Sequence, residues 1–223
     1  MPDKAPASKS STCIIFADDS CQEKLGSFAV DWERYHTDTV FEGSFLTEGC
    51  EAKSAVMKFF GHRDLLEYES EFKALTILQD SPYAPDLLTA GCTPGSKGKI
   101  PGGMVLIKSF CRGERLPWDE FWNQCSDFDS ENEVWVALKK TLEGLGYYGI
   151  ELLQIPPDSV LWDKVSGRVY ITDFFDWEYL EDDEEGSLRH IADQLYELTR
   201  NSQMARGFDE KQQKGKGKKV SKG

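Results

Sequence analysis

TVFEGSFL (39–46) and EAKSAVMKFF (51–60) are two strand-like runs separated only by TEGC, and no other feature restricts the fold as much. Alternating β-branched and aromatic side chains suit a pleated, half-buried strand, and so short a connection reads as a β-hairpin. FAVDW (28–32) reads as a strand pairing before them. GGMVLIKSF (102–110), behind the turn GKIPGG, reads as a buried strand. Between these strands, DLLEYESEFKALTIL (64–78) places Leu65, Tyr68, Phe72, Leu75 and Leu78 at helical spacing with acids interspersed. That spacing predicts an amphipathic helix, broken by SPYAP at 81–85.

Beyond residue 110 the helical signals dominate. PWDEFWNQ (117–124) opens a short helix with Pro117 near its first turn. ENEVWVALKKTLEGLG (131–146) carries Val134, Leu138, Leu142 and Leu145 on one stripe and ends at Gly146. SVLW (159–162) and RVYITDF (168–174) read as short strands around the turn KVSG. SLRHIADQLYELTRN (187–201) is a final helix with Ser187 as its N-cap. A strand-rich first third followed by helices and a late hairpin predicts an α+β chain in two lobes.

A chain of 223 residues can bury a proper core in one domain or two small lobes, and its six Trp argue for a folded globule. The net charge of −13 is uneven: KQQKGKGKKVSKG (211–223) holds six Lys and no acid. The residues before it therefore sum to about −19. A body this acidic repels a phosphate backbone, which argues against nucleic-acid binding by the folded part. Six Cys, at 13, 21, 50, 92, 111 and 125, form no CxxC pair, and three His are too few to complete a zinc site. Reduced thiols in a cytoplasmic or nuclear protein are the expectation, with disulfides left open by the even count. No apolar run approaches the ~20 residues that span a bilayer, so no membrane role is expected. Residues 1–24 read as a mostly disordered N-terminal segment and 207–223 as a disordered Lys-rich tail.

GIELLQIPPDSVLWD (149–163) resembles, in its spacing, the catalytic loop of kinase-fold phosphotransferases, roughly G-I-x-H-x-D-I-x-P-x-N-V-L-x-D. Gly149, Ile150, Pro157, Val160, Leu161 and Asp163 keep that scaffold. Other segments resemble the same family in the same order. AVMKFF resembles the strand whose Lys grips nucleotide phosphates, making Lys58 the candidate. ESEFKALTIL resembles the helix whose Glu pairs with that Lys, selecting Glu71, with Glu67 and Glu69 as fallbacks. GGMVLIKSF followed by CRGERL resembles a last small-lobe strand and hinge. TDFFDWE resembles D-F-G, making Asp173 the candidate magnesium ligand.

The resemblance is to small aminoglycoside-phosphotransferase-like or fungal-type kinase domains. It implies a two-lobed protein-kinase-like α+β fold: a small antiparallel β-sheet lobe plus one helix over 25–110, and a reduced, mainly helical large lobe over 111–206. It also implies a degenerate site. Leu152 stands in place of the loop His, Gln154 of the catalytic Asp and Ser159 of the metal-binding Asn. Gln154 cannot take a proton from a hydroxyl at neutral pH, a loss of about 10²–10⁴ in rate. DWERYHTDTV (31–40), where a glycine-rich phosphate turn belongs, has no glycine.

The leading expectation is therefore a catalytically inactive pseudokinase that works by binding a protein partner. A divergent Mg-ATP phosphotransferase would keep Lys58, Glu71 and Asp173 as ATP and magnesium contacts, with Glu151 or Asp158 as substitute base. An acidic α+β interaction domain unrelated to kinases is the third reading. The run Glu181–Glu185 is a candidate contact for a basic partner.

Overall fold

Residues 11–17, 22–37, 39–95, 100–116 and 132–180 are described in a computed structural model of the chain. They fall into two units, residues 1–111 and 112–223.

In the first unit, alternation along six strands decides what lies inside. The strands are β1 (Ser11–Phe16), β2 (Lys24–Thr37), β3 (Val40–Leu46), β4 (Lys53–Phe60), β5 (Leu87–Thr93) and β6 (Gly103–Ser109). All neighbours are antiparallel, and the order β1-β2-β3-β4-β6-β5 closes into a barrel. Phe41 and Phe45 of β3, Ala55 and Met57 of β4, and Val105 and Ile107 of β6 face inward with Phe28 and Val30. Their neighbours along each strand face outward, because successive strand side chains point to opposite faces. The hairpin read from TVFEGSFL and EAKSAVMKFF is β3–β4, running in register from Val40 opposite Lys58 to Phe45 opposite Lys53.

Closure depends on a segment expected, from its sequence, to belong to a mostly disordered N-terminal stretch. Ser11–Phe16 alternates buried Cys13 and Ile15 with exposed Thr12 and Ile14, the mark of a half-buried strand. It pairs along β2, and its last residue, Phe16, also pairs with Cys92 of β5. Gly91 permits that approach, since a Cβ there would lie 2.1 Å from the Phe16 carbonyl oxygen. The contact joins the two outer strands and leaves no open edge.

Helix α1 (Leu65–Ile77) lies against β4, β5 and β6. Its buried face is Glu71, Ala74 and Leu75, followed by Leu78 just past its end. The apolar stripe read from the sequence is thus split. Leu75 and Leu78 are fully buried, whereas Leu65 and Phe72 are 46% and 40% exposed.

The second unit contains β7 (Glu114–Arg115), α2 (Glu133–Tyr147), β8 (Ile150–Leu152), β9 (Val160–Asp163), β10 (Arg168–Ile171) and β11 (Trp177–Tyr179). Asn132 caps α2, its side-chain oxygen accepting from the Val134 N–H at 3.0 Å. Trp135, Leu138, Leu142 and Leu145 form the buried face of α2, which packs on β8 and β10. The predicted SVLW–RVYI hairpin is β9–β10, and β7 extends it to the order β10-β9-β7. β8 pairs separately with β11.

The expected two-lobed kinase-like α+β fold is overturned by this arrangement, and with it the pseudokinase reading. Among the described residues the protein is predominantly β, with a closed six-strand barrel and two helices. The second unit, expected to be a mainly helical lobe, contributes one helix and five short strands there. Two physical effects redirected the chain. Ser11–Phe16 closes the first sheet on itself, and the short apolar runs between 150 and 179 pair with one another as strands. The helices expected at 117–124 and 187–201 lie outside the described residues.

Candidate functional site

Lys58 of β4 lies opposite Leu106 of β6, and Val56 lies opposite Lys108. The register therefore puts Lys58 and Lys108 on one face of the sheet, the outer one, while Met57 and Ile107 fill the barrel. Helix α1 crosses that outer face and lowers Glu71 between the two lysines. Glu71 Oε2 accepts from Lys58 Nζ at 2.6 Å, and Oε1 accepts from Lys108 Nζ at 2.5 Å. The Glu71 side chain is wholly buried, Lys108 is 6% exposed and Lys58 is 15% exposed. The Lys58 ammonium also stands 5.1 Å from the centre of the Phe60 ring, a cation–π distance.

Burying a carboxylate costs several kcal/mol unless charged donors meet it. Here each carboxylate oxygen receives a short, charge-assisted hydrogen bond. This interaction fixes the rotation of α1 about its own axis. With residue 71 inward, residues 74, 75 and 78 follow at three, four and seven positions on. Leu65 and Phe72 are left on the outside. The Tyr68 ring lies parallel to Phe72 at 6.3 Å and meets Phe60 edge-on at 5.4 Å. An aromatic ridge thus runs from buried Phe60 out to half-exposed Phe72.

Of the residues singled out in the sequence, Lys58 and Glu71 are brought together. Glu67 and Glu69 are exposed on the same helix. Asp173 follows β10 in the second unit and is half-buried. Lys108 was missed. Its signal was present, as a single charge inside the apolar run MVLIKSF.

The positions read as a degenerate loop are built into the second unit. Leu152 is buried in β8 opposite Trp177. Gln154 is exposed, and its backbone N–H donates to the Asp176 carbonyl at 3.4 Å. The buried Ser159 hydroxyl donates to the Pro156 carbonyl at 2.7 Å. The Ser159 carbonyl accepts from the Thr172 N–H at 2.9 Å and the Thr172 hydroxyl at 3.1 Å. Glu151 is buried in β8, whereas Asp158 is exposed, with Arg115 at 3.6 Å. Leu152 and Ser159 act here as a core side chain and a turn staple. Among the described residues no group of three or more His, Cys, Asp or Glu side chains is placed to hold a metal. The acidic run 181–185 lies outside them.

The Asp163 carboxyl is held below its ordinary range. The Ser166 hydroxyl donates to Oδ2 at 2.7 Å, and the N–H groups of Val165 and Ser166 donate to Oδ1. Burial pushes the Cys111 thiol up to about 12, against the pull of nearby Lys108. No helix among the described residues is long and apolar enough to cross a membrane. No family model matches this chain, and no curated protein matches it.

Proposed function

We propose that this protein acts by binding another protein, with the outer face of α1 as the contact surface and no catalytic role. The observation carrying this reading is the rotation of α1. A buried ion cluster holds Glu71 inward and leaves Leu65, Leu66 and Phe72 exposed at 46%, 80% and 40%. A solvent-facing apolar and aromatic ridge on a rigidly held helix is an expensive feature in a monomer and a useful one at an interface. Free thiols at Cys13, Cys50 and Cys111 support a reducing compartment, cytoplasmic or nuclear.

Affinity capture with wild type and Phe72→Asp tests the reading directly. A partner retained by wild type and lost by the variant, with unchanged thermal midpoints, is the expected result. Identical captured sets for the two proteins would remove α1 from the account. A nucleotide-binding reading has one observation in its favour: the Lys58 side chain stays 15% exposed beside its Glu71 partner.

A further inference from the structure

We infer that Tyr179 is a phosphorylation site for an acid-directed tyrosine kinase. The inference is independent of the α1 surface and concerns the second unit. Tyr147 and Tyr179 are both exposed, at 94% and 63%. Tyr147 ends helix α2, whereas Tyr179 lies in β11 with an extended backbone. An enzyme groove takes an extended chain most readily, because alternate side chains then stand clear of the backbone. The Tyr179 ring rests over Gly149, where a Cβ would lie 2.9 Å from Cζ. Among the described residues no hydrogen bond holds its hydroxyl. β11 is also easily lifted. It makes three residue pairs with β8, and one of them sets Glu178 opposite Glu151. Like charges facing each other across an antiparallel pair oppose the pairing.

Charge selects the enzyme. Asp176 and Glu178 precede Tyr179 in the sequence, and the run Glu181–Glu185 follows it. No Lys or Arg occurs between Arg168 and Arg189, so no base along this stretch offsets the acids. Tyr147, by contrast, is flanked by Leu145, Gly146, Tyr148 and Gly149, none of them charged. A kinase with a basic substrate groove therefore discriminates between the two tyrosines. The reducing compartment supported by the free thiols favours a kinase over the sulfotransferases that also choose tyrosines among acids. In the transfer, the phenol oxygen attacks the γ-phosphorus of ATP and the new O–P bond replaces the bond to ADP. The phenolic proton passes to the kinase's carboxylate base. The product carries about two added negative charges beside Glu178.

The test treats the full chain with Mg-ATP and a purified acid-directed tyrosine kinase, and maps phosphate by tandem mass spectrometry. One phosphate at Tyr179 is expected, absent from Tyr179→Phe and retained in Tyr147→Phe. Replacing Glu181, Asp182, Asp183, Glu184 and Glu185 by their amides should slow the initial rate at least about tenfold, the combined worth of a few exposed ion pairs. Urea melts confirm that each variant is folded before it is compared. In protein isolated from cultured eukaryotic cells treated with pervanadate, the added mass at Tyr179 should disappear on incubation with a tyrosine phosphatase.

An unmodified full chain beside a phosphorylated peptide of residues 172–186 would overturn the inference, because the fold would then withhold Tyr179. An unmodified peptide would overturn it too, since the sequence would then fail to attract the enzyme. Labelling of Tyr147 as fast as Tyr179, or a rate indifferent to the amide substitutions, would contradict recognition through the acids. In the cell-derived protein, no added mass at Tyr179, or a group that resists the phosphatase as sulfate does, would likewise overturn it.

Discussion

Glu71 is the residue on which most depends. It is wholly buried and bonded to two lysines from different strands, so removing it leaves two ammonium groups in the interior without the carboxylate they share. Glu71→Ala should cost about 3–5 kcal/mol in unfolding free energy, read from the urea midpoint. Glu69→Ala, two residues away and exposed, should cost less than about 0.5 kcal/mol. Similar losses at both positions would mean that the cluster does not anchor the helix. Cys111 offers a second contrast. Burial pushes its thiol up to about 12, so thiolate is scarce at pH 8. Iodoacetamide at that pH should label exposed Cys50 first and Cys111 slowly, as followed by mass spectrometry. Lys58 and Glu71 were legible in the sequence because a charge in a strand and a charge in a helix stood out. Lys108 was not singled out because one Lys in an apolar run resembles a strand end. Only the β4–β6 register shows that it shares a face with Lys58.

The elements themselves follow local patterns closely. The β3–β4 and β9–β10 hairpins, α1 and α2 were all visible as alternation or helical spacing. Two things were hidden. The rotation of α1 could not be read from its apolar stripe, because a long-range ion cluster outweighs the burial of Leu65 and Phe72. Barrel closure could not be read either, because it joins Phe16 to Cys92 across a long separation in the chain. A Cβ at Gly91 would meet the Phe16 backbone, so Gly91→Ala should lower stability by about 1–3 kcal/mol. Hydrogen exchange should quicken first at the β1 amides; unchanged protection there would argue against closure. The β9–β10 turn carries a pH dependence. Because the folded Asp163 carboxyl titrates below its ordinary 3.8, its stabilisation is present above pH 3.8. That contribution is lost as pH falls through the lower folded value. Asp163→Asn should therefore be less stable than wild type at pH 6, with the gap narrowing below pH 3.8. A gap independent of pH would assign the effect to the neutral hydrogen bonds.

Taken together, the acidic chain carries its concentrated positive charge in two different places. Six lysines lie in the last thirteen residues, and two more are sequestered under α1 around one carboxylate. The family resemblance read from the sequence placed chemistry at Lys58, Glu71 and Asp173. The buried ion cluster instead supports a structural role for the first two, with the proposed contact surface on the other side of the helix. Thermal unfolding with and without Mg-ATP, on wild type and Lys58→Ala, separates these roles most directly. A site filled at about 100 times its Kd would add roughly 2.7 kcal/mol. For a chain of this length that is a rise of about 5–10 °C. No nucleotide-dependent shift is expected in either protein, alongside a lower baseline midpoint for Lys58→Ala. A shift in wild type that requires magnesium and vanishes in Lys58→Ala would contradict the structural role and make the cluster a ligand site.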